Sequence, residues 1–159
     1  MTGLSWQGGL VSESTSRLAV GAIVRRDDEI LLVPEGDGDE QVWALPGGAV
    51  EPDESVPAAL VRKVSAETGL FHVRVGPLLW VARYDVGGES WTTYVFEMWS
   101  DEDHPGWIGV GEAVERLSAM WFPPIREPAV RYLEGRAAVA TLWSWARLDE
   151  PPEVTPELA

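Results

Sequence analysis

The segment from Pro46 to Leu70 constrains the fold of this chain more than any other part of its 159 residues. It begins with Pro46-Gly47-Gly48, which predicts a sharp turn because proline fixes φ and glycine adopts conformations that other residues avoid. Ser55 is suited to cap a helix, and Gly69 is suited to end it. The apolar residues between them recur at helical spacing on one face: Val56, Ala59, Leu60 and Val64. A turn followed by an amphipathic helix is therefore predicted.

Strand patterns lie on both sides of this unit. Residues 18–24 and 30–33 are rich in β-branched residues and predict two strands joined by a polar turn. Residues 73–83 and 91–99 predict a hairpin with Gly87-Gly88 in its turn. The other predictions are loops at residues 34–40 and 100–111, a short strand at residues 119–122 and a closing helix at residues 128–148.

The order of these elements predicts a single α/β domain over residues 17–149. Residues 1–16 contain many Gly, Ser and Thr residues and are expected to be a flexible lead-in. Residues 150–159 are rich in proline and acidic residues, and are expected to be a disordered tail.

Charge and composition exclude several classes of function. The formal net charge is −14, so the surface repels phosphates and a nucleic-acid polymer is not expected as a partner. No apolar run is long enough to span a membrane. Cysteine is absent, which excludes thiol nucleophiles and Cys-based zinc sites and is compatible with a reducing cytoplasm. We expect a cytoplasmic protein with a small-molecule ligand.

Positions 63, 66 and 67 share one face of the predicted helix, because they are three and four residues apart. Glutamates at all three would form a patch of hard oxygen ligands, which suits Mg²⁺ bound together with substrate phosphates. Such a metal would also help to ionise an attacking water. Here the residues are Lys63, Ala66 and Glu67, with formal charges of +1, 0 and −1, so the face is neutral.

The same segment resembles the Nudix box of the Nudix hydrolase family. The matching residues are Gly48, Glu54, Arg62, Val64, Glu67, Gly69 and Leu70, with Leu45-Pro46-Gly47-Gly48 and Glu51 as the usual lead-in. The resemblance implies the Nudix fold, a mixed β-sheet sandwiched between α-helices in a single domain. It also implies hydrolysis of a nucleoside diphosphate linked to another group, with Mg²⁺ or Mn²⁺ as cofactor. The family has glutamate where this chain has Lys63 and Ala66, so the metal is expected to be weakly held or absent.

The resemblance further implies candidate site residues. The Gly47 carbonyl, Glu67 and Glu115 are candidate ligands of a single metal, and Glu67 and Glu115 are the candidate catalytic residues. Glu115 is the first choice and Glu112 the second choice for the acid that a loop after the box would supply. Alternatively, both acids are solvated loop residues. Lysine has no lone pair for a metal. Lys63 is therefore either a ligand-binding cation that replaces a metal or a surface residue of an abandoned site.

The remaining box residues are expected to shape the turn. Glu54 and Arg62 are predicted to join the loop to the helix by a charge-assisted hydrogen bond, although Arg62 is also a candidate ligand-binding residue. Glu51 is a second brace or a metal ligand, and we favour the brace. Gly48 and Gly69 are assigned structural roles at the two ends of the box.

The chain has nine tryptophans. Most are expected to pack in the core or on the sheet, and at least one is expected to lie in a ligand pocket. Trp43 is the candidate that stacks on a ligand, since a flat group gains roughly 1–3 kcal/mol from such stacking. Trp143 and Trp145 are two residues apart in the predicted closing helix, so they are not expected to share a face. One of them should then be exposed, which is compatible with a homodimer.

Three functions fit these observations. The first is a Nudix-like hydrolase of a nucleotide-linked phosphoanhydride with an impaired metal site. The second is a module that binds a nucleotide-like or other small phosphorylated ligand without catalysis. The third is the same fold used for other small-molecule chemistry. The fold alone does not distinguish them.

Overall fold

Residues 15–156 are the part of the chain that the computed structural model describes, and they are organised around one mixed β-sheet. The strands are β1 (Thr15–Arg26), β2 (Glu29–Leu31), β3 (Val33–Glu35), β4 (Val42–Ala44), β5 (Gly47–Ala49), β6 (Arg74–Val86), β7 (Glu89–Trp99), β8 (Ile108–Gly109), β9 (Thr141–Ser144) and β10 (Glu153–Thr155). The helices are α1 (Val56–Thr68), α2 (Val110–Ser118) and α3 (Pro123–Leu133), and one 3₁₀ turn lies at Gly38–Glu40.

The main sheet has the strand order β10-β9-β6-β7-β1-β2-β8, and β5 also pairs with β1. β1 is parallel to β7 and β6 is parallel to β9, whereas the other pairs are antiparallel. The predicted hairpin is confirmed as β6 and β7, joined at Gly87-Gly88. The pairing of β5 with β1 attaches the glycine turn to a central strand.

The two faces of the sheet bury separate cores. Residues of β1 alternate between them: Val20, Ala22 and Val24 pack with α1, and Ile23 packs on the side of α2 and α3. Such alternation follows from the two-residue period of a strand. The sheet therefore lies between helices, which confirms the predicted mixed sheet sandwiched between α-helices.

Helix α1 begins and ends where the sequence predicts. The Ser55 hydroxyl accepts a hydrogen bond from the Ala58 N–H at 3.2 Å, and Pro57 lies in the first turn. Gly69 ends the helix with φ of 80°, a left-handed conformation that glycine adopts without steric cost. Leu60 and Val64 are fully buried against the sheet.

The predicted closing helix at residues 128–148 is wrong in its position and extent. α3 begins earlier, at Pro123, and ends at Leu133, and β9 follows at Thr141–Ser144. Trp143 and Trp145 both lie on the buried side of this extended segment, and their rings stack at 6.2 Å with an interplanar angle of 19°. The expectation that one of them is exposed is therefore wrong, because residues two apart share a face in extended chain.

The predicted strand at residues 119–122 is also wrong. Ala119 caps the end of α2, and Phe122 precedes α3, which begins with two prolines suited to a first helical turn. Met120 is buried here, whereas Trp121 is 69% exposed. Part of the predicted loop at residues 100–111 forms β8 and the start of α2.

The predicted disorder of residues 150–159 is wrong at Glu153–Thr155, which form β10. This strand pairs with β9, whose outer edge offers unpaired N–H and C=O groups. The proline-rich and acidic composition of this segment does not show that β9 offers it a free edge. Among residues 15–156, no helix is both long enough and apolar enough to cross a bilayer.

Candidate functional site

The Gly47-Gly48 turn lies in direct contact with β1. Gly47 pairs with Gly21, and Gly48 pairs with Val20. A Cβ atom at position 47 would lie only 2.2 Å from the Val20 carbonyl oxygen. Glycine is thus required at Gly47 by the close approach of two backbones.

The carboxylate of Glu67 holds this turn to α1. Its Oε1 accepts a hydrogen bond from the Gly47 N–H at 2.8 Å, and its Oε2 lies 3.9 Å from Lys63 Nζ. Gly47 and Glu67, two of the three predicted metal-site residues, are therefore adjacent. The pairing of Lys63 with Glu67 neutralises the only carboxylate among positions 63, 66 and 67.

The end of the Lys63 side chain lies over Gly48. A Cβ at position 48 would come within 2.3 Å of Lys63 Cε and 2.8 Å of Nζ. The Lys63 side chain is 27% exposed and that of Glu67 is 33% exposed. Both are therefore held against the turn and still reached by solvent.

The residues around Glu67 do not fit the metal site that the family implies. Among residues 15–156, no three His, Cys, Asp or Glu side chains are grouped to hold a metal ion. Glu115 is exposed on α2, a helix that packs against β2, β4, β8 and α3. No hydrogen bond or ion pair within the described ranges joins it to Gly47 or Glu67. Glu112, the second choice, pairs with Arg116.

Charge adds to this misfit. A dication and an ammonium about 4 Å apart repel by roughly 8 kcal/mol at an effective dielectric constant of about 20. Lys63 would have to swing away before Glu67 could accept a divalent cation. These side chains therefore offer a divalent cation only one carboxylate, which is already paired with Lys63 and the Gly47 N–H.

Glu54 and Arg62 form the brace of the box. Arg62 donates to Glu54 from Nε at 2.7 Å and from Nη2 at 2.9 Å, and Nη2 also donates to the Ala49 carbonyl at 3.2 Å. The Glu51 N–H donates to Glu54 Oε1 at 3.0 Å. These hydrogen bonds join the loop to α1. The Nε and Nη2 donors of Arg62 are therefore used within the box. The Glu51 carboxylate is 66% exposed and lies 3.9 Å from Arg62. It therefore contributes less than Glu54 to holding the loop against α1.

The Arg62 guanidinium lowers the pKa of Glu54 from 4.5 to about 2, with the Glu51 N–H acting in the same direction. A carboxylate with a lowered folded-state pKa stabilises the fold above its unfolded pKa, and this contribution disappears as the pH falls through the folded value. Glu54→Gln should therefore be less stable than the unchanged chain at pH 7. The difference should shrink as the pH falls from 4.5 to about 2.

Urea unfolding of both proteins across this pH range measures the difference. Glu89→Gln is the matched control, because Glu89 forms a surface pair with Arg17 outside the box. A Glu54→Gln deficit that is the same at pH 7 and pH 3 would contradict the ionic origin of the brace.

An aromatic cavity of about 420 Å³ opens beside the same glycines. Gly47 and Gly48 form one part of its wall, and Glu35 is the charged residue of its lining. The aromatic residues of the lining are Tyr84, Trp91, Trp121 and Phe122. The cavity thus joins the turn to a mainly apolar surface suited to a flat group.

The aromatic wall is ordered by its own contacts. Tyr84 and Phe122 meet edge to face at 5.2 Å, and the Tyr84 hydroxyl forms a hydrogen bond of 2.9 Å with Thr93 Oγ1. Burial raises the pKa of the Tyr84 hydroxyl, which keeps it a neutral hydrogen-bonding group. Trp121 stands at the surface of the cavity with 69% of its area exposed.

Trp43 does not line this cavity. The Arg116 guanidinium covers its ring at 4.5 Å, and the side chain packs against the core near α2. The sequence singled out Trp43 as a ligand-stacking candidate, with core packing as the alternative for any single tryptophan, and the structure packs Trp43 against the core. The tryptophans that line the cavity are Trp91 and Trp121. The alternation of Trp91, Thr93 and Val95 in β7 shows that they share a face, but it does not show that the cavity lies on that face.

Comparisons with known proteins identify the family of this chain. The NUDIX domain model matches residues 15–140. The chain is 32% identical over 115 residues to the CTP pyrophosphohydrolase of Escherichia coli (strain K12), covering 71% of this chain and 78% of that protein. It is also 35% identical over 130 residues to the Homo sapiens 8-oxo-dGDP phosphatase NUDT18, covering 76% of this chain and 38% of that protein.

Solved structures give the same result for the fold. A NUDIX hydrolase from Nitrosomonas europaea aligns with a TM-score of 0.64 at 22% identity, over 79% of this chain and 93% of that one. The E. coli ORF135 protein aligns with a TM-score of 0.57 at 25% identity, over 79% of this chain and 91% of that one. The domain match and the E. coli relative together show that this chain belongs to the Nudix hydrolase family.

Proposed function

We propose that this chain binds a nucleotide-like phosphoanhydride and that its metal-dependent hydrolysis of this ligand is strongly reduced. The observation that carries the proposal is the continuity of the aromatic cavity with the Gly47-Gly48 turn. A flat base would lie against the aromatic wall, and the phosphates would extend toward the turn. A homodimer and a cytoplasmic location stay predictions from the sequence.

Family membership supports the class of ligand. The E. coli relative is a CTP pyrophosphohydrolase, and the human relative is an 8-oxo-dGDP phosphatase. CTP and 8-oxo-dGDP both combine a flat base with a phosphoanhydride. The acidic surface of this chain is compatible with such a ligand because a small anion needs only a local cation.

The side chains on α1 support reduced turnover. The family reaction depends on carboxylates that hold a divalent cation, and here Glu67 pairs with Lys63 and the Gly47 N–H. Without a cation at this point, the attacking water is not ionised by a metal. Binding is therefore the function that the geometry supports best.

A slow hydrolase with one metal is the second candidate. It is favoured by the contact between Gly47 and Glu67, which brings two proposed ligands together. The Gly47 carbonyl, Glu67 and Glu115 would hold the cation in this case. Glu67→Gln would then abolish Mg²⁺-dependent turnover, whereas a pure binding module has no such turnover to lose.

A nucleotide panel tests the proposal through melting temperature and product release. CTP, dGTP, ADP and a nucleotide sugar are each added with EDTA, with Mg²⁺ and with Mn²⁺. A binding module should show a ligand-dependent rise in melting temperature with little or no product. Rapid Mg²⁺-dependent hydrolysis would contradict the reduced turnover, and no stabilisation by any nucleotide would contradict the ligand class.

Trp121→Leu should weaken binding of the best nucleotide about tenfold, because stacking on an aromatic ring contributes roughly 1–3 kcal/mol. Its exposure means that the substitution should leave the fold intact. Phe71→Leu is the matched control, since Phe71 is 84% exposed and lies outside the cavity lining. Equal affinities of the two variants in calorimetry would remove Trp121 from the binding site.

A further inference from the structure

Lys63 is the only lysine of the chain, and the other basic residues are all arginine. It occupies a helix position whose face contacts the glycine turn, one helical turn before Glu67. An ammonium is a compact point charge with three donors, whereas a guanidinium is a broad planar group. The lysine thus provides a small cation at the place where the family pattern has a carboxylate.

The donors of Lys63 are available to a ligand. The distance of 3.9 Å to Glu67 Oε2 is that of an ion pair and is longer than a hydrogen bond. No hydrogen bond joins Lys63 Nζ to any acceptor in residues 15–156. The other oxygen of Glu67 already accepts from the Gly47 N–H, so Glu67 stays anchored to the turn.

The Lys63 ammonium also lies near the part of the cavity wall toward which the phosphates would extend. Gly48 lines the aromatic cavity, and the Lys63 side chain lies where a side chain at position 48 would begin. The absence of a Cβ at Gly48 therefore lets the ammonium approach the backbone of the turn. Lys63 is not part of the cavity lining, but its ammonium lies beside Gly48, which is. We therefore expect a phosphate that extends from the cavity past the backbone of Gly48 to approach this cation.

We propose that Lys63 Nζ replaces a divalent cation as the counter-charge of the ligand, so that the chain binds phosphate groups without a metal. This inference rests on the proposed function, since it concerns the same ligand. With Lys63 as the counter-charge, Mg²⁺ should have the opposite of its usual effect on the affinity for a nucleotide. A nucleotide already complexed with Mg²⁺ carries less negative charge and brings a cation toward the ammonium, so Mg²⁺ should weaken binding.

Calorimetry with ADP and with inorganic pyrophosphate, each in EDTA and in Mg²⁺, tests this inference. We expect binding in EDTA and a lower affinity in Mg²⁺. Lys63→Gln should weaken metal-free binding about tenfold or more, because it removes a hydrogen bond to a charged group. Arg136→Gln is the matched control, since it removes one positive charge at an exposed residue after the end of α3.

The single lysine allows a direct structural readout. Reductive methylation with ¹³C-formaldehyde labels Lys63 and the amino terminus alone, and the Lys63 resonance is identified by its loss in Lys63→Gln. Pyrophosphate in EDTA should shift this resonance, and Arg136→Gln should show the same shift.

The outcomes separate the two proposals. Binding that requires Mg²⁺ and is unchanged in Lys63→Gln would overturn the role of Lys63 while the proposed function stands. An unshifted Lys63 resonance at saturating pyrophosphate would overturn that role as well. No binding of ADP or pyrophosphate under either condition would overturn both proposals.

Discussion

Replacing Lys63 and Ala66 together by glutamate is expected to create Mg²⁺-dependent hydrolysis at least about 100-fold faster than in the unchanged chain, since a catalytic metal contributes several kcal/mol. Glu67 is already present, and positions 63, 66 and 67 share a helical face. The two substitutions supply hard oxygen ligands and remove the ammonium that repels a dication. Release of product from CTP and dGTP, measured against Mg²⁺ concentration, checks this result.

The matched control is Lys63→Gln with Ala66→Gln, in which side chains of the same length lack carboxylates. This control should gain neither Mg²⁺ binding nor turnover. Titration calorimetry with Mg²⁺ alone shows whether the cation enters the site of the double-glutamate variant. If that variant is folded, binds Mg²⁺ and still hydrolyses no nucleotide, then missing carboxylates are not what limits turnover.

Gly47→Ala is expected to lower the free energy of unfolding by about 3 kcal/mol, at the upper end of the range for forced overpacking. The added Cβ would lie 2.2 Å from the Val20 carbonyl oxygen and 2.8 Å from Gly21 Cα. Both atoms belong to the backbone of β1, so they do not move aside as a flexible side chain would. β5 must then separate from β1, and the Glu67 contact is lost with it. Urea denaturation measures the change.

Gly111→Ala is the control for this substitution. Gly111 lies in α2, and a Cβ added there meets no atom within 4 Å. Alanine also favours a helix over glycine, so the control should be as stable as the unchanged chain or slightly more stable. Similar stabilities for Gly47→Ala and Gly111→Ala would contradict the close backbone contact at the turn.

The site keeps the residues that shape the turn and lacks two of the three carboxylates that would hold metals, at positions 63 and 66. Glu54 and Arg62 form a two-bond ion pair, and Gly47 lies against β1. Both features position the turn beside the cavity and need no metal. Lys63 and Ala66, by contrast, replace the residues on which metal-dependent chemistry relies. This division is the basis of the proposal that the chain binds its ligand and hydrolyses it at a strongly reduced rate.

The sequence by itself determined the turn and α1. The cap at Ser55, the stop at Gly69 and the apolar spacing of Leu60 and Val64 act between residues that are close in the chain, so they can be recognised without the fold. The Glu54–Arg62 pair also lies within one box of known spacing. The charge of the face at positions 63, 66 and 67 follows from helical periodicity alone.

Only the tertiary structure decided which aromatic residues form the cavity. It also decided where Glu112 and Glu115 lie. Trp91 reaches the cavity because β7 pairs with β1, and Trp121 reaches it because α2 ends just before it. Residues 141–144 form a strand because β6 offers an edge to them, a contact between segments some 60 residues apart. Such pairings depend on non-local contacts, and a periodic pattern in one segment carries no information about its partner.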